Sequence, residues 1–316
     1  MAEYIFLLQK NPKLATIPPF CQPGFFFNEY AHLQQQYAKE FVLLLAMNQE
    51  TRQAEARCAF FICSGEAYSP AAAPFGSIEF SETVPDAILD RFLVELTAAA
   101  RNEGAKKLRI VSYPHCYAQQ QADRLTKRLF AHKFAQQSVH PTYYLPVGND
   151  PFIDQLIPAE RRRLQKCRSA GFQFDQWTSL DLTNITDFIQ ETRQQKGYPL
   201  SVSRGRLTQL CQQFSDQFVA FTVMDGSRLA AVTITVRVRH DILYNFLPAS
   251  HPDYQTWSPM VMLTDGLFAY CQKQSIQLLD LGVSLDANKQ PKPGLMRFKR
   301  NLGAQESPKS TFEKVL

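Results

Sequence analysis

The sequence predicts an α/β fold with mixed, α+β-style sheets, laid down twice in tandem. Three observations carry this. Apolar runs of strand length alternate with segments of helical period. The order meander, helix, strand, helix occurs in both halves of the 316 residues. The runs also correspond: "FVLLLAMN" from 41 is answered by "FVAFTVMD" from 218, and "KLRIVSYP" from 107 by "QLLDLGVS" from 277, at offsets of 177 and 170. Two copies indicate a duplicated unit and not a solenoid.

In the first half, "FVLLLAMN" (41–48) is a strand, and "EARCAFFICSG" (55–65) a second one after the polar turn "QETRQA". "PFGSIEFSE" (74–82) reads as a third. The period then changes: Ile88, Phe92, Leu93, Leu96 and Ala99 recur at helical spacing, Ser81 or Thr83 suits the cap, and Gly104 stands where the helix must end. "KKLRIVSYP" is the next strand, stopped by Pro114, and "QADRLTKRLFAHKFA" a second amphipathic helix. The Gly/Asn/Asp/Pro cluster of "LPVGNDPF" (145–152) marks the join, so units of 1–148 and 149–316 are expected.

In the second half, "LIPAERRRLQKCRSAGFQF" (156–174) is a basic helix closed by Gly171. Its arginines read either as a solvated face or as a wall for a phosphate-bearing ligand. Residues 218–250 give three antiparallel strands, with a tight turn at Asp225-Gly226. "SPMVMLTDGLFAYCQKQ" is helical, with Ser258 at the N-cap and Pro259 in the first position. Met260, Leu263, Leu267 and Cys271 form its apolar stripe. "IQLLDLGVS" is a strand in which Gly282 marks a bulge, and "PGLMRFKRNLG" a short last helix, basic on one side and apolar on the other.

Composition bounds function. Apolar residues make up 45% and aromatics 12%, enough to bury a core. A net charge of +5 permits an anionic partner without demanding one. The seven cysteines form no CxxC pair and no zinc-spaced cluster with histidine, so free thiols and no metal are expected. The N-terminus lacks the basic start and apolar core of a signal peptide, and no run approaches the ~20 apolar residues of a membrane span. The expected protein is cytoplasmic, with no stable membrane insertion.

Two stretches resemble a known group. "ERRRLQKCRSAGFQF" is similar to the basic helix that opens the second unit of the Fem-type aminoacyl transferases, and "GLMRFKRNLGA" to their C-terminal Phe-Lys signature, thirteen residues before the end of the sequence. The repeat, over about residues 40–310, resembles two GNAT (acyl-CoA N-acyltransferase) units. The resemblance implies transfer of an acyl or aminoacyl group to an amine. The donor would be a coenzyme A thioester or an aminoacyl-tRNA, and the acceptor a small or peptidoglycan-precursor-like amine. It places Lys299 at the ester end of the donor, with Phe298 beside it. A fixed ammonium there would stabilise developing charge. Arg297, with Arg162 and Arg163, would hold a phosphate-bearing part, and Ser258 and Met260 would open a helix whose backbone donors face it.

The sequence departs from that group. The coiled-coil arm of some Fem transferases is absent, and so is the glycine-rich pyrophosphate loop. "FSETVPDA" carries Glu82 and Asp86 at the first unit's equivalent place. "PASHPDYQTWSPM" has no glycine in the second. The second unit is therefore the expected active one. Among its polar residues, Tyr244 reads as core or cleft, Asn245 as a cleft donor, Asp280 as a cleft carboxylate or a solvent-facing one, and His251 as a loop base or plain surface, with Asp280 or His251 the expected proton acceptor. Two other readings remain: a scaffold that kept the fold without catalysis, and an RNA-binding protein, against which the modest charge counts.

Overall fold

In the computed structural model, residues 3–36, 40–179, 182–195, 202–286 and 288–316 are described. The strands are β1 (Tyr4–Lys10), β2 (Phe41–Asn48), β3 (Ala54–Cys63), β4 (Glu66–Ser69), β5 (Glu79–Phe80), β6 (Lys107–Val111), β7 (Ala135–Pro146), β8 (Gln173–Trp177), β9 (Phe218–Asp225), β10 (Arg228–Arg239), β11 (Ile242–Asn245), β12 (Ala249–Ser250), β13 (Leu278–Val283) and β14 (Gln305–Val315). The α-helices are α1 (Tyr30–Leu33), α2 (Asp86–Asn102), α3 (Gln119–Ala131), α4 (Pro158–Ser169), α5 (Thr183–Gln195), α6 (Arg204–Gln213), α7 (Pro259–Lys273) and α8 (Pro293–Asn301).

The chain divides into two compact units, Met1–Pro141 with Ser307–Leu316, and Thr142–Glu306. Sequence reading put the join near 145–152 and left the C-terminus in the second unit. Instead the last ten residues return to the first, where β14 pairs antiparallel with β6 from Thr311↔Val111 to Val315↔Lys107.

In the first unit the strands are bonded in the order β1-β2-β3-β4-β6-β14. β2 is buried almost throughout, the continuous apolar run of a strand covered on both faces. The third strand of the meander is not where the sequence suggested. Glu66–Ser69 takes that place after the Ser64-Gly65 turn, and "PFGSIEFSE" gives only the two residues of β5. Its Phe75 and Ile78 are buried at 1% exposure as packed loop. That loop runs so close to β4 that a Cβ on Gly76 would lie 2.4 Å from Ser69 Oγ. α2 begins at Asp86, past both suggested capping residues, and no side chain caps it. Asp86 instead supplies the acid that a helix N-terminus favours, and pairs with Arg124 and Arg128. Leu89, Phe92, Leu93 and Leu96 face the core with Phe60, Leu108 and Phe312.

In the second unit the order is β7-β13-β11-β10-β9-β8. The turn at Asp225-Gly226 holds, with Gly226 at φ +57°. α7 buries Val261, Leu263, Leu267, Phe268 and Cys271, and α4 adds Leu164 and Cys167. Each fully buried side chain of that size contributes roughly 1.5–3 kcal/mol. Gly266 lets Phe174 close on α7: a Cβ there would sit 2.3 Å from the ring, which stacks on Phe221 at 5.5 Å. α5 and α6, missed in sequence reading, lie between β8 and β9 in the chain. Ile185, Ile189 and Thr192 form the buried face of α5, which packs on β10 and β12.

Candidate active site

The local geometry starts from a parallel pair. β11 and β13 register Ile242↔Leu278, Leu243↔Leu279 and Tyr244↔Asp280. Pairing stops there, although β13 runs on to Val283 and β11 ends at Asn245. Where two parallel strands separate, backbone and side chains from both face a common gap. Ligands in open α/β sheets bind at the carboxyl ends of strands for this reason.

A bulge shapes the gap. β13 pairs with β7 as Asp280↔Tyr144 and then Gly282↔Tyr143, with Leu281 as the extra residue. Gly282 takes φ +73°, which glycine adopts freely. Asp280, 2% exposed, pins the bulge: its Oδ1 accepts from Gly282 N at 2.6 Å and from Thr142 Oγ1 at 3.0 Å. The kink turns two carbonyls toward α8, and Lys299 Nζ donates to Gly282 O at 2.8 Å and Val283 O at 2.9 Å. A Cβ on Gly282 would lie 3.1 Å from Tyr244 Cε2, so the tyrosine ring rests on the bulge.

Lys299 is 6% exposed, buried and not solvent-facing. Burial pulls its ammonium down from the ordinary 10.5 to about 7, against the opposing pull of the Asp280 carboxylate. Tyr244 shifts the other way. Burial first, then the charge of Asp280, raise its hydroxyl well above the usual tyrosine value, and the Arg193 guanidinium works against them. Two groups that share the Gly282 bulge and the field of Asp280 thus have their proton affinities driven apart, a pattern that suits an acid and a base. The Lys299 ammonium also lies 5.4 Å from the ring centre of the fully buried Tyr143.

The other sequence-predicted residues are placed as follows. Asn245 is buried and its Oδ1 accepts from Thr233 Oγ1 at 2.6 Å, which ties β11 to β10. His251 caps a turn: its Nδ1 accepts from Asp253 N at 3.3 Å, between the rings of Phe188 and Tyr254. Ser258 holds the N-cap position of α7 at φ +56° without a side-chain cap bond. Pro259 has no N–H, and Val261 N donates to Ser258 O, so this turn is a poorer anion cradle than a glycine-rich loop. Met260 packs on the unit's core, as does Phe298. Arg297 is exposed on α8.

On α4, Arg163 pairs with Glu160, Arg168 with Asp265, and Lys166 lies 4.1 Å from the Trp257 ring centre. Arg162 is exposed. Most of the basic helix is therefore a braced surface face. The structure brings together Lys299, Asp280 and Tyr244. It adds Thr142 and the Gly282 and Val283 carbonyls, and sets Arg193 within electrostatic reach of Tyr244, none of which sequence reading found. The spacing of Ile185, Ile189 and Thr192 was the one signal for Arg193, since it sets that arginine at the edge of a buried helix face.

Among the described residues no group of three or more His, Cys, Asp or Glu could hold a metal ion, and no helix is long and apolar enough to cross a membrane.

Residues 157–300 match the family model of the acetyltransferase (GNAT) domain. Among solved structures, FemX aligns at a TM-score of 0.69 with 11% identity, covering 93% of each chain. A tandem GNAT protein from the clavulanic acid biosynthesis pathway aligns at 0.57 with 11% identity, over 99% of this chain and 98% of that one. L-PGS from Bacillus licheniformis aligns at 0.53 with 11% identity, over 82% and 80%. No curated protein sequence matches significantly. At such identities the likeness is one of fold: a mixed α/β chain with the tandem GNAT architecture and a Fem-like resemblance.

Proposed function

We propose that the protein is an N-acyltransferase whose chemistry takes place in the second unit, where β11 and β13 part. The observation that carries this reading is the grouping of buried Lys299 and Asp280 with half-buried Tyr244 around the Gly282 bulge, with the lysine lowered and the tyrosine raised. The acyltransferase fold supports it.

Two carbonyls occupy two of the Lys299 N–H groups. In its neutral form the lysine then has one lone pair left, the position from which a base takes a proton. The acceptor amine attacks the acyl carbonyl, a C–N bond forms, and the ammonium proton passes to Lys299. Tyr244, still protonated, donates its O–H to the carbonyl oxygen as that oxygen gains charge. Collapse breaks the C–S bond of a thioester, or the C–O bond of an aminoacyl ester, and Lys299 returns the proton to the leaving group. Asp280 holds the bulge and biases both neighbours without moving a proton itself.

The donor we favour is an acyl thioester of coenzyme A. The start of α7, with Ser258 and Met260, would face its phosphates, helped by Arg297 on α8 and by Arg162 and Arg163 on α4. The scarcity of backbone donors at that turn favours a second donor, an aminoacyl ester on tRNA. Thermal midpoints with acetyl-CoA, free coenzyme A and deacylated tRNA separate the two, since a ligand of the folded state raises the midpoint by mass action. A rise with coenzyme A species identifies the thioester, and a rise with tRNA alone the aminoacyl ester. No rise with any would turn the reading toward a catalytically silent binding or scaffold protein.

A further inference from the structure

Arg193 stands near the end of α5 with a half-buried guanidinium. Its Nε is shut off from solvent and finds no hydrogen-bond partner. Among the described residues no carboxylate pairs with it, whereas Arg57, Arg109, Arg124, Arg128, Arg163, Arg168 and Arg239 each have one. A cation taken partly out of water without a counter-charge is unfavourable. Burial accordingly lowers its affinity for the proton, and the one opposing influence is Tyr244, through the charge its side chain carries only when ionised.

α5, with Ile185, Ile189 and Thr192 buried, packs on β10, the strand that pairs with β11, and on β12. The guanidinium is thus a positive charge without a counter-charge, within electrostatic reach of Tyr244. An Arg fork in that state suits a planar oxyanion, which it can grip with two parallel N–H bonds.

The position says whose anion it is. The phosphates of coenzyme A lie a pantetheine arm's length from the reacting carbonyl, so a charge whose field reaches Tyr244 from α5, packed on β10, is placed for a group nearer the reaction than those phosphates. We infer that Arg193 receives an oxyanion, a carboxylate before a phosphoryl group, carried by the acceptor amine close to its nitrogen. The acceptor class is then an amino-acid-like anion and not a simple alkylamine. This rests on the acyl-transfer reading for the word acceptor. The anion site itself does not.

The test is a thermal-midpoint series at fixed ionic strength with succinate, its neutral diamide succinamide, and inorganic phosphate, on the wild-type chain, Arg193→Gln and Arg193→Lys. Succinate should raise the wild-type midpoint above succinamide. Arg193→Gln should weaken the apparent affinity for succinate by roughly a hundredfold, as truncating one partner of a close charge pair does, and Arg193→Lys should keep part of it. The glutamine variant removes an unpaired charge, so it should be no less stable than the wild type. A larger response to phosphate than to succinate would assign the phosphoryl group. Equal responses in wild type and Arg193→Gln, or no anion response in the wild type, would overturn the inference. Acetyl-CoA and deacylated tRNA in the same series keep the two ideas apart. An anion response without a donor response leaves the Arg193 site standing and the acyl-transfer reading fallen, and the converse removes Arg193 alone.

Discussion

At the level of single residues the proposed chemistry rests on Lys299. Its folded-state pKa, about 7, lies below the ordinary 10.5. Between those values the folded protein binds fewer protons than the unfolded chain, so stability rises with pH across that window. Below 7 the charged form is buried and the penalty is complete. Urea titrations from pH 6.5 to 10 should therefore show the wild type gaining on Lys299→Met, with a slope of at most about 1.4 kcal/mol per pH unit. A constant difference would mean an ordinary lysine. Tyr244→Phe should lower turnover by about 10²–10³, the effect of one lost donor to a developing oxyanion, with little change in melting. Gly282→Ala should cost about 1–3 kcal/mol, since it meets a positive φ and the Tyr244 ring together, and urea unfolding reads it directly. The sequence pointed to Lys299, Asp280, Tyr244 and the bulge at Gly282. It could not give their orientation. A solvent-facing Lys299 and one bonded to two carbonyls differ only in how the bulge turns the backbone, and no spacing encodes that.

The elements around the site were legible where their own pattern was strong. α2, α7 and α8 carry clear periodicity, and β2, β9 and β10 are long apolar runs, so each stood near its expected place. The losses were elements whose pattern is weak or set by partners. β4 is four residues long. β7 and β14 are largely polar and exist because neighbours complete their hydrogen bonds, while β5 was overread because a packed loop buries Phe75 and Ile78. The basic helix α4 drew attention by charge, yet its arginines mostly brace the surface. Arg162→Ala should change stability by no more than about 0.5 kcal/mol. Gly266→Ala should cost about 1–3 kcal/mol by overpacking α7 against Phe174, seen as a lower urea midpoint with an unchanged slope.

At the scale of the molecule, duplication was visible in the matched runs at 41 and 218, but not the return of the C-terminus to the first unit. β14 places Phe312, 1% exposed, in that core, and Glu313 pairs with Lys107 and Arg109 of β6. Phe312→Ala should cost about 3–5 kcal/mol, and hydrogen exchange at the β6 amides should report the loss within the first unit. A lysine tuned to act as a base where β11 and β13 part can be followed most directly in a ¹³C-lysine-labelled protein through a pH titration by NMR. Lys299 should show a midpoint near 7, moved when acetyl-CoA is bound. A midpoint in the ordinary lysine range, unmoved by any donor, would contradict that role.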